Sequence, residues 1–174
     1  MITFVIPMHK WTDQSEVCFN RLHQQVGNNE IILVADQCEL PDLPAKVVQT
    51  TKRSYAAGSR NLGAEHSTHD VIVFVDSDIL VPNNFVKHCE DNYDKDQSSI
   101  FCFPMGTEVT DSYTAGFKGM LELYSTHHLY EQPQDTIQQL QGYCCVITKN
   151  LLHKTGYWVE TRTMELEEYA TNIH

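Results

Sequence analysis

Runs of apolar residues alternate with helix-patterned stretches along the 174-residue chain, and that order constrains the fold more than any other feature. ITFVIP (Ile2–Pro7), EIILVAD (Glu30–Asp36), KVVQT (Lys46–Thr50), VIVFVD (Val71–Asp76) and SIFCFP (Ser99–Pro104) read as strands. Between them lie three predicted helices. The first is capped by Thr12 or Asp13 and runs to about Val26, with Phe19, Leu22 and Val26 on one face. The second spans the Ala-rich SYAAGSRNLGAEHS (Ser54–Ser67), with Ser54 as a possible cap. The third spans Val81–Tyr93, with Pro82 in its first turn. The strands are apolar throughout rather than alternating with polar residues. This predicts an α/β fold, a mostly parallel sheet covered by helices on both faces. Ligands of such sheets bind beyond the carboxyl ends of the strands, where Asp36 and Asp76 fall, so both are expected to face one crevice.

The second half is less regular. Residues 105–140 mix Gly, Tyr, Thr and Gln around the amphipathic FKGMLELYSTHHLY, which predicts a loop and helix over the site. A late strand is expected at Gly142–Thr148, a short helix ending at Gly156, and a final helix over MELEEYATNIH.

Composition excludes several functions. With 41% hydrophobic residues the chain suits a single domain with a real core. A net charge of -11 with no Lys/Arg block argues against nucleic acid and anionic membrane surfaces as partners. A phosphate ligand would need local cations, backbone N–H groups or a metal. Strand-like residues begin at Ile2, so no signal peptide is expected, and no apolar run approaches the roughly 20 residues of a membrane span. Six cysteines without a C-x-x-C pair read as reduced core residues of a cytosolic protein. The nine histidines form no H-x-x-x-H, which argues against structural zinc.

The chemistry concentrates in Asp76-Ser77-Asp78. Two carboxylates at i and i+2 after a buried strand can converge on a hard cation, Mg²⁺ or Mn²⁺, that completes its shell with waters and substrate phosphates. D-x-D alone also suits a solvated turn; the strand-end context favours the metal. Asp36 could accept from a base N–H or a ribose hydroxyl, or simply form a turn. Arg60, beside Asn61, could pair with a phosphate, with one of the aspartates, or in a surface ion pair. Gly58 and Gly63, unfavourable inside a helix, suggest that the helix packs closely on the sheet or a ligand. No Gly-rich phosphate loop occurs. Glu165, Glu167 and Glu168 could supply a base for an acceptor hydroxyl, although for any one of them a solvated acidic helix face is the better explanation. His153 and His174 are further candidate metal ligands, each better explained structurally.

ITFVIPMHK, EIILVADQC, SYAAGSRNLGAEHSTHDVIVFVDSDILVP and GYCCVITKNLLHKTGYW follow one another in an order that resembles glycosyltransferase family 2. R-N-x-G leading into an apolar strand and D-S-D is the most specific part. The resemblance implies the GT-A fold of nucleotide-diphospho-sugar transferases, with residues 1–104 as the donor half and 105–174 as an acceptor half that is short for the family. It implies that Pro7, Met8 and His9 line the nucleotide pocket and that Asp36 contacts the base. Arg60 would lie near ribose and diphosphate. Asp76, beside Ser77, would contact ribose or sugar, and Asp76 and Asp78 would hold the metal. Gly142–Trp158 would form the acceptor side.

Two departures stand out. D-D-G-S of the family is Asp36-Gln37-Cys38-Glu39 here, and the family's E-D pair is matched only by Glu165-Leu166, with Glu167 and Glu168 following. The expected activity is metal-dependent, inverting hexosyl transfer from a UDP-linked donor, with GDP and dTDP open, to a hydroxyl of a glycan, lipid, protein or small molecule. Glu165 or Glu168 would be the base. The expected location is the cytoplasm, at most peripheral to a membrane. A non-catalytic nucleotide-sugar-binding domain is the alternative. A nucleotidyltransferase ranks lower, because PMHKWTDQ lacks the glycine- and lysine-rich loop that chemistry uses.

Overall fold

The computed structural model describes residues 1–93, 100–102 and 144–158. They form a six-stranded sheet with β1 (Ile2–Met8), β2 (Glu30–Ala35), β3 (Lys46–Gln49), β4 (Val71–Val75), β5 (Phe101–Cys102) and β6 (Cys144–Thr148) in the order β3-β2-β1-β4-β6-β5. The β1–β2, β2–β3 and β1–β4 pairs are parallel, and β6 runs antiparallel to both β4 and β5. The sheet is therefore mostly parallel, as its apolar strands predict: β1, β2, β4 and β6 are buried almost end to end.

Helices cover both faces. On one side α1 (Asp13–His23) buries Cys18, Phe19 and Leu22, and α3 (Phe85–Asn92) sets Phe85 6.1 Å from the Phe4 ring. On the other, α2 (Tyr55–His66) and α4 (Lys149–Thr155) close a core of Val5, Val34, Phe74, Ile147, Leu152 and Trp158. R-N-x-G explains how closely α2 lies: a Cβ on Gly63 would drive into Val5 Cγ1 and stand 3.0 Å from Val34 Cγ2.

Thr12 caps α1 as expected, its hydroxyl accepting from Ser15 N–H at 3.2 Å. Two helix boundaries differ from the sequence expectation. α1 stops at His23, short of Val26, because the chain turns into left-handed Gly27 (φ 56°). Pro82 is not in the first turn of α3: its carbonyl accepts from Phe85 N–H in a turn and from Gln25 Nε2, and the helix starts after Asn84. The expected loop and helix at 105–140 and the final helix lie outside the described residues.

Candidate functional site

The chain crosses from β3 at one edge to β4 on the far side of β1, so the topological switch point lies between the carboxyl ends of β1 and β4. Val5 pairs with Phe74, and two residues further on Pro7 comes level with Asp76. Pro7 is half-buried and His9 exposed on the β1 side of this crevice.

The D-S-D segment is a turn held from below. Ile79 N–H donates to the Asp76 carbonyl at 3.2 Å, which puts Ser77 and Asp78 at the corner. From α1, the Cys18 thiol donates to the same carbonyl at 3.6 Å and Arg21 Nη1 to the Val81 carbonyl at 3.3 Å. Ser77 is half-buried and Asp78 exposed. Burial, then the Asp78 charge, then the Asp76 charge push the Cys18 thiol up to about 12. Both carboxylates thus impose a negative potential on one spot, and Cys18 stays protonated beneath it.

Arg60 reaches this spot from α2. Its Nη2 donates to Asp76 Oδ1 at 2.7 Å, with the Arg60 side chain 9% and that of Asp76 27% exposed. The pairing with an aspartate that the sequence left open to Arg60 is formed. The Asn61 amide clamps the backbone of Trp158, donating to its carbonyl at 2.8 Å and accepting its N–H at 2.9 Å.

Asp36 stands at the end of β2 as expected, but its carboxylate turns inward. It is 3% exposed; Oδ1 accepts from Thr50 Oγ1 at 2.9 Å and Ser54 N–H at 2.8 Å, and Oδ2 accepts from Tyr55 N–H at 2.9 Å. Ser54 makes no side-chain cap, and α2 has no acid in its first turn. Asp36 supplies that negative charge from another strand. Non-glycine residues with φ near +55°, Gln37 and Tyr55, flank it, a costly conformation that these bonds offset. Asp36→Ala should destabilise the fold by about 2–3 kcal/mol, and Asp36→Asn by less, since one acceptor oxygen survives. Urea unfolding checks this; equal midpoints for parent and Ala variant would exclude the capping role.

Among the described residues no group of three or more His, Cys, Asp or Glu side chains gathers to hold a metal. Asp76 and Asp78 offer carboxylate oxygens two residues apart, a donor type that fits a hard cation whose shell is completed by waters and phosphates. His153 is exposed on α4, its ring 6.2 Å from that of Tyr157. Glu165, Glu168 and His174 lie outside the described residues. Two surface hollows, about 520 and 400 Å³, sit at the amino ends of the strands around Met1 and contain none of the candidate residues. Sequence reasoning missed Cys18, Thr50 and the place of Trp158; only the two odd glycines hinted that α2 is a close-packed platform.

The family model "Glycosyl transferase family 2" matches residues 3–156. No curated protein sequence matches the chain. Among solved structures, the mannosyltransferase PcManGT from Pyrobaculum calidifontis, in complex with GDP-Man and Mn²⁺, is similar with a TM-score of 0.68 at 16% identity, over 91% of this chain and 47% of that one. S. aureus TarS 1–349 is similar with a TM-score of 0.67 at 18% identity, over 97% of this chain and 55% of that one. TarS 1–349 in complex with UDP-GlcNAc gives 0.58 at 18% identity, over 97% and 53%. At these identities the likeness shows the fold, which is GT-A. The chain spans about half the length of these structures (47–55%). No described helix is long and apolar enough to cross a membrane.

Proposed function

The chain belongs to glycosyl transferase family 2, and from that premise we propose that it moves a hexosyl group from a nucleotide-diphospho-sugar to a hydroxyl acceptor, with inversion and with Mn²⁺ or Mg²⁺ at the site. One observation carries the reading: α2 delivers Arg60 onto Asp76 at the switch point, beside exposed Asp78. The ligands in the similar structures, GDP-Man with Mn²⁺ and UDP-GlcNAc, are of the same chemical class.

Asp78, with Asp76 beside it, holds the metal. When bound, the cation supplies positive charge to the diphosphate oxygens, which this acidic protein lacks in bulk. Arg60 neutralises Asp76 from behind and fixes its carboxylate, so that Asp76 and Ser77 meet the ribose and sugar. Pro7, Met8 and His9 form the wall for the nucleotide. Asp36 borders the base from the end of β2, while its three bonds hold α2 in place. Glu165 or Glu168 takes the proton of the acceptor hydroxyl. The donor is UDP-linked, with GDP the first alternative.

Thermal unfolding against UDP, GDP, CDP and dTDP, each with Mn²⁺, Mg²⁺ or EDTA, tests the donor site. A nucleotide at about 100 times its Kd should add roughly 2.7 kcal/mol and raise Tm by about 5–10 °C, and EDTA should erase the shift. No shift with any nucleotide would overturn the reading. A shift without transfer to any acceptor would leave a nucleotide-sugar-binding domain.

A further inference from the structure

Trp158 ends the GYCCVITKNLLHKTGYW segment and has had no role of its own so far, yet several contacts fix it. Asn61 holds its backbone at both polar atoms. Its ring meets Phe74 edge-on, centroids 5.7 Å apart and planes at 87°. Gly156 (φ 85°) and Tyr157 (φ 66°), two left-handed residues in succession, turn the chain into position, and the second costs about 1 kcal/mol. The Arg60 Cζ lies over the indole, 5.0 Å from its centroid.

Arg60 needs that surface. Its Nη2 bonds Asp76, but its buried Nε has no hydrogen-bond partner. A planar head held at one end can swing about the bond that holds it. A guanidinium stacks flat on an indole, and the face of Trp158 removes this freedom.

We infer that Trp158 is a positioning residue for the donor site: its indole presses the Arg60 guanidinium onto Asp76 and so sets the carboxylate next to Asp78. The inference rests on the donor-site reading for its consequence, but the contact itself does not. It ties the segment after β6 and α4 to a turn that lies far from it in sequence. It also requires arginine rather than lysine at position 60, because an ammonium has no face to stack.

The test uses the full chain with Trp158→Leu, Trp158→Phe, Arg60→Lys, Arg60→Met and the Trp158→Leu/Arg60→Met double variant. NMR of the arginine side chains reads the contact without any ligand. In the parent and in Trp158→Phe the Arg60 Nη resonances should be separate, because the head rotates slowly; in Trp158→Leu they should merge. Calorimetry with UDP and GDP in Mn²⁺ reads the consequence. Trp158→Leu should weaken nucleotide binding about tenfold, and should cost nothing further once Arg60 is Met. Resonances that stay apart in Trp158→Leu, or an equal loss in both backgrounds, would overturn the inference. If Trp158→Leu does not fold, Arg60→Lys tests the same contact with the indole intact; a tenfold loss supports the inference and unchanged affinity overturns it. Merged resonances in a protein whose parent binds neither nucleotide would keep the positioning contact and sink the donor-site reading instead.

Discussion

Asp78→Ala should abolish metal-dependent nucleotide binding, by roughly 100-fold or more, while leaving stability within about 0.5 kcal/mol of the parent. The two halves of that expectation have one cause. Asp78 stands exposed at the corner of a turn held by backbone bonds from Asp76 and Ile79 and by α1, so the fold does not depend on its carboxylate. Asp76 is the opposite case. Its removal would leave the Arg60 guanidinium, 9% exposed, without its carboxylate, at a cost of about 3 kcal/mol. Calorimetry with Mn²⁺ and UDP or GDP, set beside urea unfolding, separates the two aspartates. If Asp78→Ala keeps its metal-dependent affinity, the metal lies elsewhere. If Asp76→Ala proves as stable as the parent, the ion pair has no part in the fold.

The features legible in the sequence share a physical origin. A strand buried on both faces tolerates almost no polar residue, so ITFVIP, EIILVAD and VIVFVD announce a parallel sheet without help from the rest of the chain. The D-S-D and R-N-x-G segments are legible because they sit at ends and faces that such a sheet dictates. The illegible features depend on partners distant in sequence. Asp36 lies 18 residues from the N–H of Ser54 that it binds, and no local pattern says that a β2 carboxylate will cap α2. Asn61 and Trp158 are 97 residues apart, brought together only by the antiparallel β6 and the return of α4. Pro82 misleads for a different reason. Its fixed φ suits a helix start and a turn equally, and Gln25, in the turn after α1, decides by holding its carbonyl.

Gly63→Ala carries a stability effect as large as the loss of Asp76, and the sign runs against helix propensity. In an isolated helix the exchange would stabilise by about 1 kcal/mol. Here the new methyl would drive into Val5 Cγ1 and stand 3.2 Å from Val5 Cγ2. Val5 is wholly buried on β1, between β2 and β4, and its β-branched side chain has little rotamer freedom with which to yield. The expected net cost is about 3 kcal/mol, at the upper end of overpacking, or roughly 6–12 °C in Tm. The displacement should also reach function. Arg60 sits one turn earlier on α2, and a helix lifted from β1 carries the guanidinium away from Asp76, so the nucleotide-induced shift in Tm should shrink with the stability. Val5→Ala supplies the control. Alone it should cost about 2–3 kcal/mol through the space it leaves. Combined with Gly63→Ala it makes room for the methyl, so the double variant should be more stable than the sum of the two losses by at least about 2 kcal/mol, and its nucleotide response should return. Strictly additive losses would mean that the glycine is not there for close approach, and that α2 is held at its distance from the sheet by Asp36 at its amino end and by the Asn61 clamp on Trp158, rather than by the contact at Gly63.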